Sequence, residues 1–114
     1  MLEGKSVIVT GAAGGIGRAT ALHFARMGAA LTVSDISDEG SEVVDEINAG
    51  GGQAVYVRAD ISREDDARRL VSAAISANGR IDGAFNNAGV DQHSALIHEL
   101  DEAEFDRVIT VDLK

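Results

Sequence analysis

The chain has 114 residues, of which 45% are hydrophobic and 25% charged, a globular balance that excludes a disordered protein and fits one small domain. Ten Lys and Arg against nineteen Asp and Glu give a net charge of -9 with no basic cluster, so neither nucleic acid nor an anionic membrane is an expected partner. No apolar run is long enough to span a bilayer, the opening MLEGKSVIVTG lacks the h-region of a signal peptide, and cysteine is absent. The expectation is a cytoplasmic protein whose chemistry uses oxygen and nitrogen groups or a cofactor.

Lys5 to Thr10 (KSVIVT) is a β-branched apolar run stopped by Gly11, the pattern of a buried parallel strand. Ile16, Ala19, Thr20, Phe24 and Met27 then recur at helical spacing, with Gly28 as the expected C-terminal cap. Ala30 to Ser34 predicts a second strand ending at Asp35. Asp38 to Asn48 predicts a helix with Val43, Val44 and Ile47 on its apolar face, broken by AGGG at 49–52; one reading of the acidic residues here is that Asp35 only caps a turn, with Asp38 as N-cap of this helix. Ala54 to Arg58 predicts a third strand. Ala67, Leu70, Val71, Ala74 and Ile75 form the stripe of a third helix that begins near Arg63 and closes at Asn78 and Gly79.

Asp82 to Phe85 predicts a fourth strand leading into NNAG at Asn86 to Gly89. Phe105, Val108, Ile109 and Leu113 then fall on one face of a last helix, which runs to Lys114 without a stop signal. Alternating strands and helices predict an α/β fold, a parallel sheet covered on both faces. Its fourth strand is expected to remain an open edge, as in a doubly wound sheet lacking its second half.

The turn Thr10-Gly-Ala-Ala-Gly-Gly-Ile-Gly17 opens a helix directly after a strand. Glycines there serve a tight bend, the approach of backbone to a pyrophosphate and close helix–strand packing, while the helix N-terminus offers N–H groups to an anion. A P-loop needs a Lys in this turn, and none lies between Gly11 and Met27. Asp35, eighteen residues beyond Gly17, stands where a carboxylate accepts bonds from the ribose hydroxyls of NAD. It repels a 2′-phosphate, and no Arg or Lys at Ala12, Ala13, Gly14 or Ile36 compensates, so NAD is expected over NADP. Asp60, after the third strand, has two open readings: contact with an adenine edge, or, with Ser62, capping of the next helix. His23, His93 and His98 have no metal-ligand spacing, so no metal site is expected. A glycine turn and an acidic second-strand end also suit an S-adenosylmethionine-dependent methyltransferase.

TGAAGGIG at Thr10 to Gly17, Asp35, Ala59-Asp60-Ile61 and NNAG at Asn86 to Gly89, taken in order, resemble the signature of the short-chain dehydrogenases/reductases, and NNAG separates that family from the methyltransferases. The resemblance covers nearly the whole chain and implies a Rossmann-like doubly wound sheet truncated to its first half, with strand order 3-2-1-4. Residues 1–114 would form one NAD-binding half-domain of the classical type. By resemblance, Gly11, Gly15, Ile16 and Gly17 meet the pyrophosphate and neighbouring ribose, and Asp35 meets the adenosine ribose. Asp60 and Ile61 meet the adenine, Asn87 and Ala88 line the nicotinamide-side ribose, and Asn86 and Thr10 brace the central loops.

The family's chemistry belongs to a Ser, a Tyr-x-x-x-Lys pair and an Asn after NNAG. Tyr56 is the only tyrosine and no Tyr-x-x-x-Lys occurs, so no catalytic residue is assigned. Val111-Asp112-Leu113-Lys114 departs from the family's VNLK-like string by an Asp for the Asn. The implied function is NAD-dependent hydride transfer at a small-molecule alcohol or carbonyl by a homo-oligomer, with this chain inactive alone. A stand-alone, non-catalytic NAD-binding or interaction module is the alternative.

Overall fold

The computed structural model describes residues 1–86 and 109–112. In chain order the elements are β1 (Ser6–Thr10), α1 (Gly15–Arg26), β2 (Ala30–Asp35), α2 (Gly40–Ala49), β3 (Gln53–Arg58), α3 (Glu64–Asn78), β4 (Gly83–Asn86) and β5 (Ile109–Asp112). The strands form one sheet in the order β3-β2-β1-β4-β5, and every neighbouring pair is parallel. The chain winds outward from β1 to β3 and returns across it to β4, so the order reverses between β1 and β4, where open α/β sheets hold their ligands.

Period-two alternation along the strands builds two cores. Val7 and Val9 of β1, Leu31 and Val33 of β2 and Phe85 of β4 face α1 and α2, where they pack with Ala21, Val43, Val44 and Ile47. Phe24 and Phe85 meet edge to face on that side, 6.2 Å between ring centres. Ile8, Val57 and Ala84 belong to the opposite cluster, with Ala67, Leu70, Val71 and Ala74 of α3. Both faces of β1 are therefore buried, which is why its sequence reads as a continuous apolar run.

Gly28 has φ +97° just beyond the Met27 C-cap of α1, and Gly79 has φ +76° at the C-cap of α3, as the two glycine stops predict. The capping expectations are corrected. Glu39, not Asp38, occupies the N-cap of α2, and Arg63 that of α3, neither with a side-chain capping bond. Asp38 takes part through its carbonyl, which accepts from the Ser41 hydroxyl and N–H.

The predicted last helix is also corrected where it is described. Ile109–Asp112 is a strand, paired in parallel with β4 and with Ile109 beside Gly83 and Asp112 beside Asn86. Ile109, Thr110 and Val111 are consecutive β-branched residues, which favour a pleated strand, and the ladder groups of β4 supply the pairing that a helix would forgo. β4 is therefore not an open edge. Phe105, Val108 and Leu113 lie outside the described residues.

Candidate coenzyme cleft

Three backbone segments meet at the carboxyl ends of β1, β2 and β3. Gly11 leaves β1 with φ +66°, a conformation that favours glycine and turns the chain sharply toward α1. The Ala12 N–H donates to the Ser34 carbonyl at 3.1 Å, which ties the turn to the end of β2. Gly17 lies in the first turn of α1, and a Cβ there would stand 2.8 Å from the Gly11 carbonyl carbon and 3.0 Å from the Ala12 Cα. A Cβ at Gly15 would meet nothing within 4 Å. Gly17 thus permits the approach of helix to strand, whereas Gly15 leaves open space in front of the helix.

The first turn of α1 has no capping side chain, since Gly14 is the N-cap, and no acidic residue. Glu42 lies in the first turn of α2, and Glu64, Asp65 and Asp66 lie in that of α3. The α1 terminus keeps its positive partial charge for an external anion. Ile16, at its tip, is 60% exposed.

Asp35 ends β2 with its carboxylate held on both oxygens. Oδ2 accepts from the Ala13 N–H at 2.9 Å, and Oδ1 accepts from the Ser37 N–H at 3.1 Å. A carboxylate has about four acceptor positions, so this arrangement fixes the group and leaves acceptors for a ligand. Across from it, Asp60 Oδ1 accepts from the Ser62 N–H at 3.0 Å and from the Ser62 hydroxyl at 2.5 Å, while the Asp60 N–H donates to Asp66 Oδ2 at 2.9 Å. That last bond, helped by the Arg69 and Arg63 guanidinium groups, outweighs the opposing effect of burial and lowers the Asp66 pKa from its ordinary value.

Thr10, Gly11, Ser34, Asp35, Ile36, Ala59, Asp60 and Ile61 line a single cleft of about 250 Å³. Of the residues expected at a coenzyme site, Gly11, Asp35, Asp60 and Ile61 come together here, with Gly15, Ile16 and Gly17 at the adjoining helix tip. Asn87 and Ala88 lie outside the described residues. Ile36 is 65% exposed at the rim while Ile61 is buried, giving the cleft two apolar borders suited to a flat ring. Ser34 and Ile36 also line the cleft, though neither was expected among the site residues. The signal for both was their position at the carboxyl end of the second strand.

Tyr56 was likewise missed. Its hydroxyl bonds to the Asp35 carbonyl at 3.2 Å and to the Ser37 carbonyl, from the neighbouring strand. Burial, then the charges of Asp35 and Asp38, push the phenol above its ordinary pKa, so it remains a proton donor at neutral pH. Among the described residues no cluster of potential metal ligands occurs, and no helix is long and apolar enough to cross a membrane.

Residues 5–114 match the family model of the short chain dehydrogenases, and the chain belongs to that family of NAD(P)-binding oxidoreductases. Over 114 residues it is 46% identical to an uncharacterized oxidoreductase of Bacillus subtilis (strain 168), covering 99% of this chain and 42% of that protein. Its fold is similar to that of a 7α-hydroxysteroid dehydrogenase complexed with NADH and 7-oxo glycochenodeoxycholic acid, at TM-score 0.88 and 34% identity, over 96% of this chain and 53% of that one. It is also similar to a metagenomic short-chain oxidoreductase in complex with NADP, at TM-score 0.87 and 25% identity, over 97% of this chain and 62% of that one. The chain therefore spans about half the length of these relatives.

Proposed function

We propose that residues 1–114 form the coenzyme-binding half-domain of an NAD-dependent oxidoreductase that moves hydride between NAD and a small-molecule alcohol or carbonyl. The observation that carries this reading is the Asp35 carboxylate, fixed by the Ala13 and Ser37 N–H groups at the edge of the cleft that Asp60 and Ile61 close. Its remaining acceptor positions suit vicinal ribose hydroxyls, and its charge opposes a 2′-phosphate.

Gly11, Gly15, Ile16 and Gly17 hold the pyrophosphate at the uncapped α1 terminus, Asp60 and Ile61 hold the adenine with Ile36 on its other side, and Asn87 and Ala88 border the nicotinamide-side ribose. The nicotinamide supplies the hydride chemistry. The family's Tyr-x-x-x-Lys is absent from this sequence, so the chain alone binds coenzyme without turning it over. The working enzyme is a cytoplasmic homo-oligomer in this reading.

Fluorescence titration with NADH and NADPH, on the chain and on Asp35→Ser, tests the proposal. NADH is expected to bind more tightly than NADPH, and Asp35→Ser is expected to weaken NADH by about tenfold, the scale of one charge-assisted hydrogen bond, while narrowing the gap. Tighter binding of NADPH by the unsubstituted chain contradicts the NAD preference. Binding of neither contradicts the coenzyme reading, and turnover of NADH by the chain contradicts its inactivity.

A further inference from the structure

The turn that follows Asp35 is held by bonds of its own, Ser37 N–H to the Asp35 carboxylate and Gly40 N–H to the Ser37 carbonyl, and by side chains reaching across from β3. The Asp35 carbonyl accepts from the Tyr56 hydroxyl at 3.2 Å and from the Ala59 N–H at 3.0 Å. The next carbonyl, of Ile36, accepts from Arg58 Nε at 3.1 Å, and that of Ser37 accepts from the Tyr56 hydroxyl. The single Tyr56 hydroxyl proton is shared between the Asp35 and Ser37 carbonyls and Arg58 holds the Ile36 carbonyl, so two side chains of one strand reach three consecutive carbonyls. Tyr56 and Arg58 are two residues apart, so both stand on the same face of β3.

The grip is built into the packing. Val33 of β2 lies in register with Tyr56, and Asp35 with Arg58, which sets both side chains beside the end of β2. Gly40, the first residue of α2, makes room for the ring: a Cβ there would lie 2.8 Å from the Tyr56 Cζ and 2.9 Å from its hydroxyl oxygen. Arg58 also reaches Asp38, 3.4 Å from its guanidinium, beyond the turn. The turn so held presents Ile36 to the cleft and places the Ser37 N–H on the Asp35 carboxylate.

We infer that Tyr56 and Arg58 are positioning residues that set coenzyme specificity, acting through the turn to aim the Asp35 carboxylate at an unphosphorylated adenosine ribose. The inference rests on the coenzyme reading above. Neither residue lines the cleft beside Asp35 and Ile61, while Arg58 borders the adjoining pocket that shares Ile36, Ala59 and Asp60 with it. Loosening the turn costs the ligand that needs a fixed carboxylate and leaves the ligand that this carboxylate opposes nearly unaffected.

Two readouts on Tyr56→Phe and Arg58→Met test it, with chemical denaturation as the control for global stability. Titration is expected to show NADH weakened by about five- to tenfold in each variant, the equivalent of one lost hydrogen bond, with NADPH changed less than twofold. Amide exchange without coenzyme is expected to quicken at Ala13 and Ala59, whose N–H groups bond to Asp35, with little change in the denaturation midpoint. If NADH binding and exchange match the unsubstituted chain, the inference is wrong and the coenzyme reading stands. If Arg58→Met weakens NADPH instead, the guanidinium contacts a phosphate directly and the positioning role is wrong. If the unsubstituted chain binds no NADH, the coenzyme reading falls and the specificity claim with it, whatever the exchange shows about the turn.

Discussion

Gly15 and Gly17 sit two residues apart on one turn, yet a methyl group has opposite expected effects at the two positions. Gly17→Ala sets a Cβ against the Gly11 carbonyl, between two backbones that have no side chain to yield. A loss of about 1–3 kcal/mol is expected, the range for overpacking a close contact, and urea denaturation will read it. Gly15→Ala meets open space, so stability should hold or rise by about 0.5 kcal/mol, the helical advantage of Ala over Gly. On the proposed coenzyme reading the same Gly15 substitution should still weaken NADH binding, because the methyl group would enter the open space assigned there to the pyrophosphate. The glycine spacing alone marks both residues for the turn. Only the geometry separates the one that packs from the one that leaves room.

Among the elements, β4 depends on a polar clamp at its entrance as well as on its apolar residues. Asp82 Oδ2 accepts from the Ser6 N–H at 2.8 Å, Oδ1 accepts from Arg80 Nε at 3.0 Å, and the Asp82 N–H donates to the Ser6 carbonyl at 2.8 Å. Burial raises the Asp82 pKa, but Arg80, the Ser6 N–H and Lys5 outweigh it, and the net shift is downward. A carboxyl with a lowered folded-state pKa stabilises the fold above its unfolded value, and that contribution disappears as pH falls through the folded value. Stability should therefore decline below about pH 4, near the ordinary aspartate range. Asp82→Asn should cost about 1 kcal/mol at pH 7 and progressively less toward pH 3. A penalty of equal size at both pH values would show that the carboxylate charge is not what holds the strand.

Legibility in the sequence followed the same division between local and non-local causes. Strands β1 to β4 and helices α1 to α3 could be read because β-branched runs and stripes at i, i+3 and i+4 are local, and Gly28 and Gly79 mark their helix ends in the chain itself. Ile109–Asp112 could not, since its apolar residues fit a helical stripe as well as a strand, and its pairing with β4 decides between them. Tyr56 was opaque for another reason. The strand order already places β3 beside β2, but the path of the turn after Asp35, which brings the Asp35 and Ser37 carbonyls to the Tyr56 hydroxyl, does not follow from the residues around position 56.

At the scale of the whole molecule, the sheet order brings residues distant in sequence to one edge, and the account stands on that convergence. Gly11, Asp35 and Asp60 reach the same cleft because β1, β2 and β3 are neighbours with parallel ends. Family membership explains the resemblance among motifs, while the Asp35 bonds to Ala13 and Ser37 explain how one carboxylate is fixed for use. The measurement that tests this most directly is an amide-resolved NMR titration of the isotopically labelled chain with NADH. The account predicts saturable shifts confined to Gly11–Gly17, Asp35–Ser37, Asp60–Ile61 and the residues after β4, with the amides of Gly50–Gly52, at the opposite end of the sheet, unmoved. Shifts centred on Gly50–Gly52, or none at saturating NADH, would contradict it.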